Sequence, residues 1–137
     1  MWPVRGPVSS PFCERRSWES CHPGIDLAVP AGTPILAADT GRVSVVQRTA
    51  VSGGYGNFAC LQHSAGVSTC YAHQARILVR LGQLVGRGQP IGISDCTGRC
   101  YGSHLHFEVR LDGRVICPAR YLAAPARTMC TAGSPGS

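Results

Sequence analysis

Five histidines, at positions 22, 63, 73, 104 and 106, carry most of the chemistry open to this chain. Two of them lie one residue apart in Ser103-His104-Leu105-His106-Phe107-Glu108-Val109-Arg110, a run of alternating character that reads as a β-strand. Strand alternation sends both imidazoles to one face, about 7 Å apart. At that spacing they can share a site, either as two metal ligands or as a ligand and its catalytic neighbour. His22 and Asp26, four residues apart around Pro23-Gly24, can converge on one ion, with a histidine from a distant strand as the third donor. A catalytic zinc wants three N or O ligands and one open position, so this donor set is of the right kind. No His-Glu-x-x-His motif is present, which removes the helical zinc-protease arrangement and its glutamate base. A neutral histidine would then have to act as the base. His63, at a hairpin turn, fits an ordinary structural role better than a ligand. Glu108 is in phase with His104 and His106 and could orient a ligand histidine from behind, or be a plain surface or rim carboxylate.

The elements that must position these groups are short strands. Trp2-Pro3-Val4 can form an edge strand, and 11–21 reads as a loop leading to His22 and the Pro23-Gly24 turn. Pro34 to Ala38 and Arg42 to Gln47 follow as strands, the second enriched in β-branched residues. Ser52-Gly53-Gly54-Tyr55-Gly56 reads as a flexible loop. Asn57 to Gln62 and Val67 to His73 form a hairpin around Ser64-Ala65-Gly66, and the two-residue period places Tyr71 and His73 on one face. Gln89 to Ile93 is another strand, and the loop 95–102 delivers the chain to His104. Leu111-Asp112-Gly113-Arg114 turns back into Val115-Ile116-Cys117, and Pro118 to Leu122 can make one helical turn. Many short strands without a long amphipathic helix indicate an all-β, mainly antiparallel domain. Its expected parts are an N-terminal strand and loop over 1–20, a core over 21–122, and a partly disordered tail over 123–137.

A length of 137 residues suits one domain, and 17 Gly with 10 Pro agree with many turns. The net charge of +6 favours polyanionic surroundings, either nucleic acid or an anionic cell wall. The basic residues are scattered, without a dense run or an aromatic-basic recognition motif, which argues against nucleic acid. Eight cysteines point to an oxidising, extracytoplasmic setting. No pair is spaced Cys-x-x-Cys, so zinc-ribbon and thioredoxin-like sites are poor readings. Proximity and strand reasoning favour the bridges Cys13–Cys21, Cys60–Cys70, Cys96–Cys100 and Cys117–Cys130. Residues 1–5 lack the character of a signal peptide and no stretch is long enough to span a membrane, so either this is a mature domain or export uses something outside it.

His22-Pro-Gly-Ile-Asp26, Ala31-Gly-Thr-Pro34, Gly54-Tyr-Gly-Asn57, Thr69-Cys-Tyr-Ala-His73, Gly88-Gln-Pro-Ile-Gly92 and Gly102-Ser-His-Leu-His-Phe-Glu108 occur in an order that resembles the lysostaphin-type (LytM-type) zinc metallopeptidases. The resemblance covers about residues 20 to 122. It implies a loop-walled groove on an antiparallel scaffold and one Zn2+ held by His22, Asp26 and His106. It implies His73 and His104 as catalytic groups flanking the open position; Tyr71, on the same strand face as His73, is a weaker candidate for orienting the transition state, with plain packing an equal alternative. It further implies hydrolysis of peptide bonds in bacterial peptidoglycan, in the stem peptide or the cross-bridge. The expected partners are peptidoglycan peptides and, by charge, anionic wall polymers; a monomer is expected. Many relatives carry Phe-Gly-x-Arg before the first ligand, where this chain has Phe12-Cys13-Glu14-Arg15. A non-catalytic binding module on the same scaffold is the competing reading, and retention of both His73 and His104 argues against it.

Overall fold

The computed structural model describes residues 1–48, 54–96 and 102–137. Within them ten strands form: β1 (Val8–Ser10), β2 (Ile25–Ala28), β3 (Pro34–Leu36), β4 (Gly41–Gln47), β5 (Asn57–Gln62), β6 (Val67–Ile77), β7 (Leu84–Val85), β8 (Pro90–Ser94), β9 (His104–Leu111) and β10 (Arg114–Ile116). All their pairings are antiparallel. The main path runs β1-β2-β9-β6-β5-β4-β7, with β10 on β9 and β8 joining β3 to β6. The helical pieces among the described residues are two 3₁₀ turns, Pro118–Leu122 and Ala126–Thr128, and no helix is long and apolar enough to cross a membrane. The domain is all-β, as its short strands and frequent turns lead one to expect.

Strand β9 divides the molecule by its alternation. Leu105, Phe107 and Val109 are fully buried in the main apolar core with Ile25, Leu27, Phe12 and Tyr71. The residues between them, His104, His106 and Glu108, point to the opposite face, where Phe58, Cys60, Cys70 and Ala72 form a smaller apolar layer. Pairing with β2 sets Asp26 opposite His106, Leu27 opposite Leu105 and Ala28 opposite His104. Directly opposed residues share a face, so Asp26 meets His106 and the small Ala28 leaves room for the His104 ring.

The hairpin β5–β6 places Cys60 opposite Cys70, and the two are bridged. Bridges also join Cys13 to Cys21 and Cys117 to Cys130. The expected Cys96–Cys100 pair involves Cys100, which lies outside the described residues.

Two local expectations do not hold. The first strand is Val8–Ser10 rather than Trp2-Pro3-Val4, because β2 offers its edge to residues 8–10. Residues 123–137 do not trail away as a loose tail. Phe12 N–H donates to Met129 O (2.8 Å), Thr131 N–H to Phe12 O (3.0 Å) and Cys117 N–H to Pro135 O (2.8 Å), while Met129 and Cys130 are buried. The Cys117–Cys130 bridge and the apolar Met129 give that segment a seat which its small, polar composition conceals.

Candidate metal centre

The turn Cys21-His22-Pro23-Gly24 brings His22 over the β2–β9 pair. Gly24 is required for that approach: a Cβ there would lie 2.3 Å from Phe107 O and 2.9 Å from Glu108 Cγ. With the turn pressed this close, His22 Nε2, Asp26 Oδ1 and His106 Nδ1 form a triangle. Its edges are 3.0 Å (His22–His106), 3.0 Å (Asp26–His106) and 3.3 Å (His22–Asp26). All three residues are buried and together they form a candidate metal-binding group.

The chemistry of this donor set fits zinc. At ordinary Zn–N and Zn–O bond lengths, tetrahedral ligand atoms stand roughly 3.3 Å apart, close to the edges of this triangle. The outward-facing atoms of each residue are already engaged. His106 Nε2–H donates to Glu108 Oε2 (2.8 Å), and His22 Nδ1–H donates to Pro11 O (3.1 Å), with Ser10 Oγ 3.3 Å away. Asp26 Oδ2 accepts from Arg16 Nη2 at 2.7 Å. These partners assign the tautomers, leaving two imidazole lone pairs and one carboxylate oxygen facing a common point. Such a group calls for a cation.

The proton affinities say the same. Burial works against charge on His106, yet its hydrogen bonds to Asp26 and Glu108 outweigh it and raise its pKa to about 9. Burial likewise opposes ionisation of Asp26, but His106 and His22 hold it well below the usual carboxylate range. Glu108 follows the same pattern, its burial overcome by His106 and Arg110. Arg110 donates to Glu108 Oε1 through Nε (2.9 Å) and Nη2 (2.7 Å), so the carboxylate behind His106 is locked in place.

His104 and His73 stand beside the triangle. His104 Nε2 is 3.6 Å from Asp26 Oδ1, and the ring centroids of His73 and His104 are 4.8 Å apart. His104 Nδ1–H donates to Gly102 O at 2.7 Å, which leaves Nε2 as the lone-pair nitrogen. His73 reaches this face by leaving the strand pattern. Its φ is +59°, and the β5–β6 register shifts between Asn57 and Ala59, opposite this segment. Its N–H donates to Tyr55 O at 2.7 Å, which fixes the irregular backbone.

That bulge corrects the expectation for Tyr71. Strict alternation puts Tyr71 and His73 on one face, but the left-handed residue sends them to opposite faces. Tyr71 is fully buried in the core, its ring 5.4 Å from that of Phe107. Its hydroxyl accepts from Ala38 N–H (3.0 Å) and lies 2.7 Å from Thr69 Oγ1. It has no access to a substrate. Tyr55 lines the cleft instead, stacked on Phe58 at 4.5 Å and tilted against His106 at 5.6 Å. His63 is structural, held by Thr40 O at 2.7 Å and Thr69 Oγ1 at 2.8 Å.

The cleft above the site has a volume of about 230 Å³ and is lined by Arg16, Trp18, His22, Tyr55, His73 and His106 among others. Arg16 and Trp18 escape sequence reasoning because the loop 13–21 carries no strand or helix pattern. Tyr55 lies within the Gly54-Tyr-Gly-Asn57 motif, which could have pointed to it.

Comparison with known proteins shows the family to which the chain belongs. The model of Peptidase family M23 matches residues 20–118. The DD-carboxypeptidase/endopeptidase Mpg of Neisseria meningitidis is 40% identical over 116 residues, covering 81% of this chain and 26% of that protein. A zinc-containing peptidase from Vibrio cholerae superimposes with a TM-score of 0.76 at 35% identity, over 84% of this chain and 37% of that one. The catalytic domain of lysostaphin from Staphylococcus simulans does so with a TM-score of 0.73 at 27% identity, over 88% and 93%. The chain spans about a quarter of the length of most of the curated relatives it matches. From the family match over its central 20–118 and a relative at 40% identity across most of its length, the chain belongs to peptidase family M23.

Proposed function

We propose that this domain is an extracytoplasmic zinc metalloendopeptidase that hydrolyses peptide bonds in bacterial peptidoglycan. The observation that carries the reading is the convergence of three donors, one each from β2, β9 and the turn before β2, with two further imidazoles beside them. His22, Asp26 and His106 would hold one Zn2+. When bound, the ion supplies Lewis acidity, polarising a carbonyl and acidifying water.

The remaining steps belong to this chain's own residues. His104, with Nδ1 committed to Gly102 O, offers Nε2 to take a proton from the attacking water and return it to the leaving amine. His73, its ring 4.8 Å from that of His104 and 5.9 Å from that of His106, would donate to the developing oxyanion. Glu108, clamped by Arg110, keeps the His106 ring turned so that Nδ1 faces the site. Tyr55 hydrogen-bonds Glu108 from the cleft, and burial beside that carboxylate raises the tyrosine's own pKa.

The relative at 40% identity is a DD-carboxypeptidase/endopeptidase and another at 41% is a peptidoglycan DD-endopeptidase, which favours bonds between D-residues of the stem peptides over glycine cross-bridges. The disulfides support a place outside the cytoplasm. The net charge of +6 supports attraction to anionic wall polymers.

The test is mass spectrometry of peptidoglycan fragments after incubation with the protein, using walls with direct stem-to-stem cross-links and walls with pentaglycine bridges. New amine and carboxyl termini should appear at the stem cross-link, vanish with chelator and return with zinc. His106→Ala should lose zinc, while His104→Ala should keep zinc and lose at least about 10²-fold in turnover. No cleavage of either wall in zinc-replete buffer would refute the enzyme reading.

A further inference from the structure

Arg16 sits in a nine-residue ring closed by the Cys13–Cys21 bridge, directly before the first proposed zinc ligand. The ring is a small hairpin: Arg16 N–H donates to Glu19 O (2.9 Å), Cys13 N–H to His22 O (2.8 Å) and His22 N–H to Glu14 O (3.0 Å). From this frame the guanidinium reaches inward. Its Nη2 donates at 2.7 Å to Asp26 Oδ2, the oxygen that faces away from the donor triangle, and also to Ser10 Oγ. Ser10 Oγ in turn lies 3.3 Å from His22 Nδ1. A single nitrogen of Arg16 therefore touches the outer partners of two of the three donors.

We propose that Arg16 is a positioning residue for the metal centre, holding Asp26 so that only Oδ1 faces the ion and steadying Ser10 behind His22. The proposal rests on the zinc reading given above. A carboxylate with one oxygen occupied cannot rotate its plane, so the other is left as a single fixed donor. A cation this near could also repel the metal, but Glu19 (3.6 Å) and Glu14 (3.8 Å) flank the same guanidinium and offset its charge. The ring supplies the aim: Trp18, whose ring centroid is 5.5 Å from Arg16 Cζ, covers the guanidinium from the cleft side. The arginine of the Phe-Gly-x-Arg pattern falls at Arg15, yet Arg15 is exposed and its neighbour Arg16 makes the contact with Asp26.

The experiment is a chelator competition for zinc on the whole chain, with the visible spectrum of the cobalt-substituted protein as a second readout. Arg16→Ala should weaken zinc about 10- to 100-fold, the usual effect of removing a partner behind a metal ligand, and alter the cobalt bands. Arg16→Lys keeps the charge but loses the planar guanidinium whose Nη2 reaches both acceptors, and should fall between Arg16→Ala and the parent. Arg15→Ala removes the same charge one residue away and should bind zinc as the parent does. Arg16→Ala within twofold of the parent would overturn the proposal, as would an equal loss in Arg15→Ala. If Arg16→Ala does not fold, Arg16→Lys within twofold of the parent does the same. Failure of the parent itself to bind zinc would sink the zinc reading instead.

Discussion

Tyr71 ends a short relay of side chains: its hydroxyl meets Thr69 Oγ1, which meets His63 Nε2, whose Nδ1–H donates to Thr40 O. Burial pushes its pKa up to about 12. In the unfolded chain a tyrosine ionises near 10, so between roughly pH 10 and 12 only the unfolded state sheds the proton. The associated stability is present in full below pH 10 and is lost as pH rises toward 12, a change of roughly 2–3 kcal/mol. Denaturant titrations from pH 9 to 12 should show this fall in the parent. Tyr71→Phe should start lower, by roughly 1–3 kcal/mol for the unpaired Thr69 and Ala38 groups, and fall less steeply; parallel curves would contradict the assignment. At this scale the convergence of His22, Asp26 and His106 was legible because histidine and aspartate at short spacing are chemically distinctive, whereas His73, remote in sequence, entered only through the family resemblance. Tyr71 was misplaced because one left-handed residue, His73, inverts the alternation on which the reading relied. Arg16 was illegible because its contact with Asp26 depends on how a disulfide ring folds.

The pairing of β2 with β9 is the element on which the centre stands, and Gly24 sets how near the His22 turn can come to it. In Gly24→Ala the new Cβ would meet Phe107 O at 2.3 Å. That oxygen belongs to a central strand and cannot move aside alone, so the turn must lift. The expected result is a loss of about 1–3 kcal/mol in stability, with weaker zinc binding as His22 withdraws from His106. Thermal unfolding and chelator competition would check both, and unchanged values would show that the turn has slack. Most strands were readable from alternation and turn residues, including β5–β6 and the Asp112-Gly113 turn, where φ is +51° and +81°. The Trp2-Pro3-Val4 assignment failed because apolar character alone does not decide which segment finds a free sheet edge.

Across the whole molecule the charge is spread rather than focused. Arg5, Arg15, Arg42, Arg48, Arg76, Arg80, Arg87, Arg114, Arg120 and Arg127 are all exposed. Attraction to an anionic wall should therefore be a diffuse field effect that salt screens. Sedimentation with purified walls should show binding falling severalfold as NaCl rises from about 0.05 to 0.5 M, where the Debye length shrinks well below 10 Å; salt-independent binding would rule this out. The three described bridges share a further property: they join cysteines only 8, 10 and 13 residues apart. Short loops close at the smallest entropic cost, so during oxidation each cysteine meets its own partner before remote ones. The bridges fasten local hairpins and loops and tie no distant strands together. Oxidative folding can therefore run ahead of the sheet without trapping a wrong strand order, and the long-range topology is left to the backbone ladder and the apolar core.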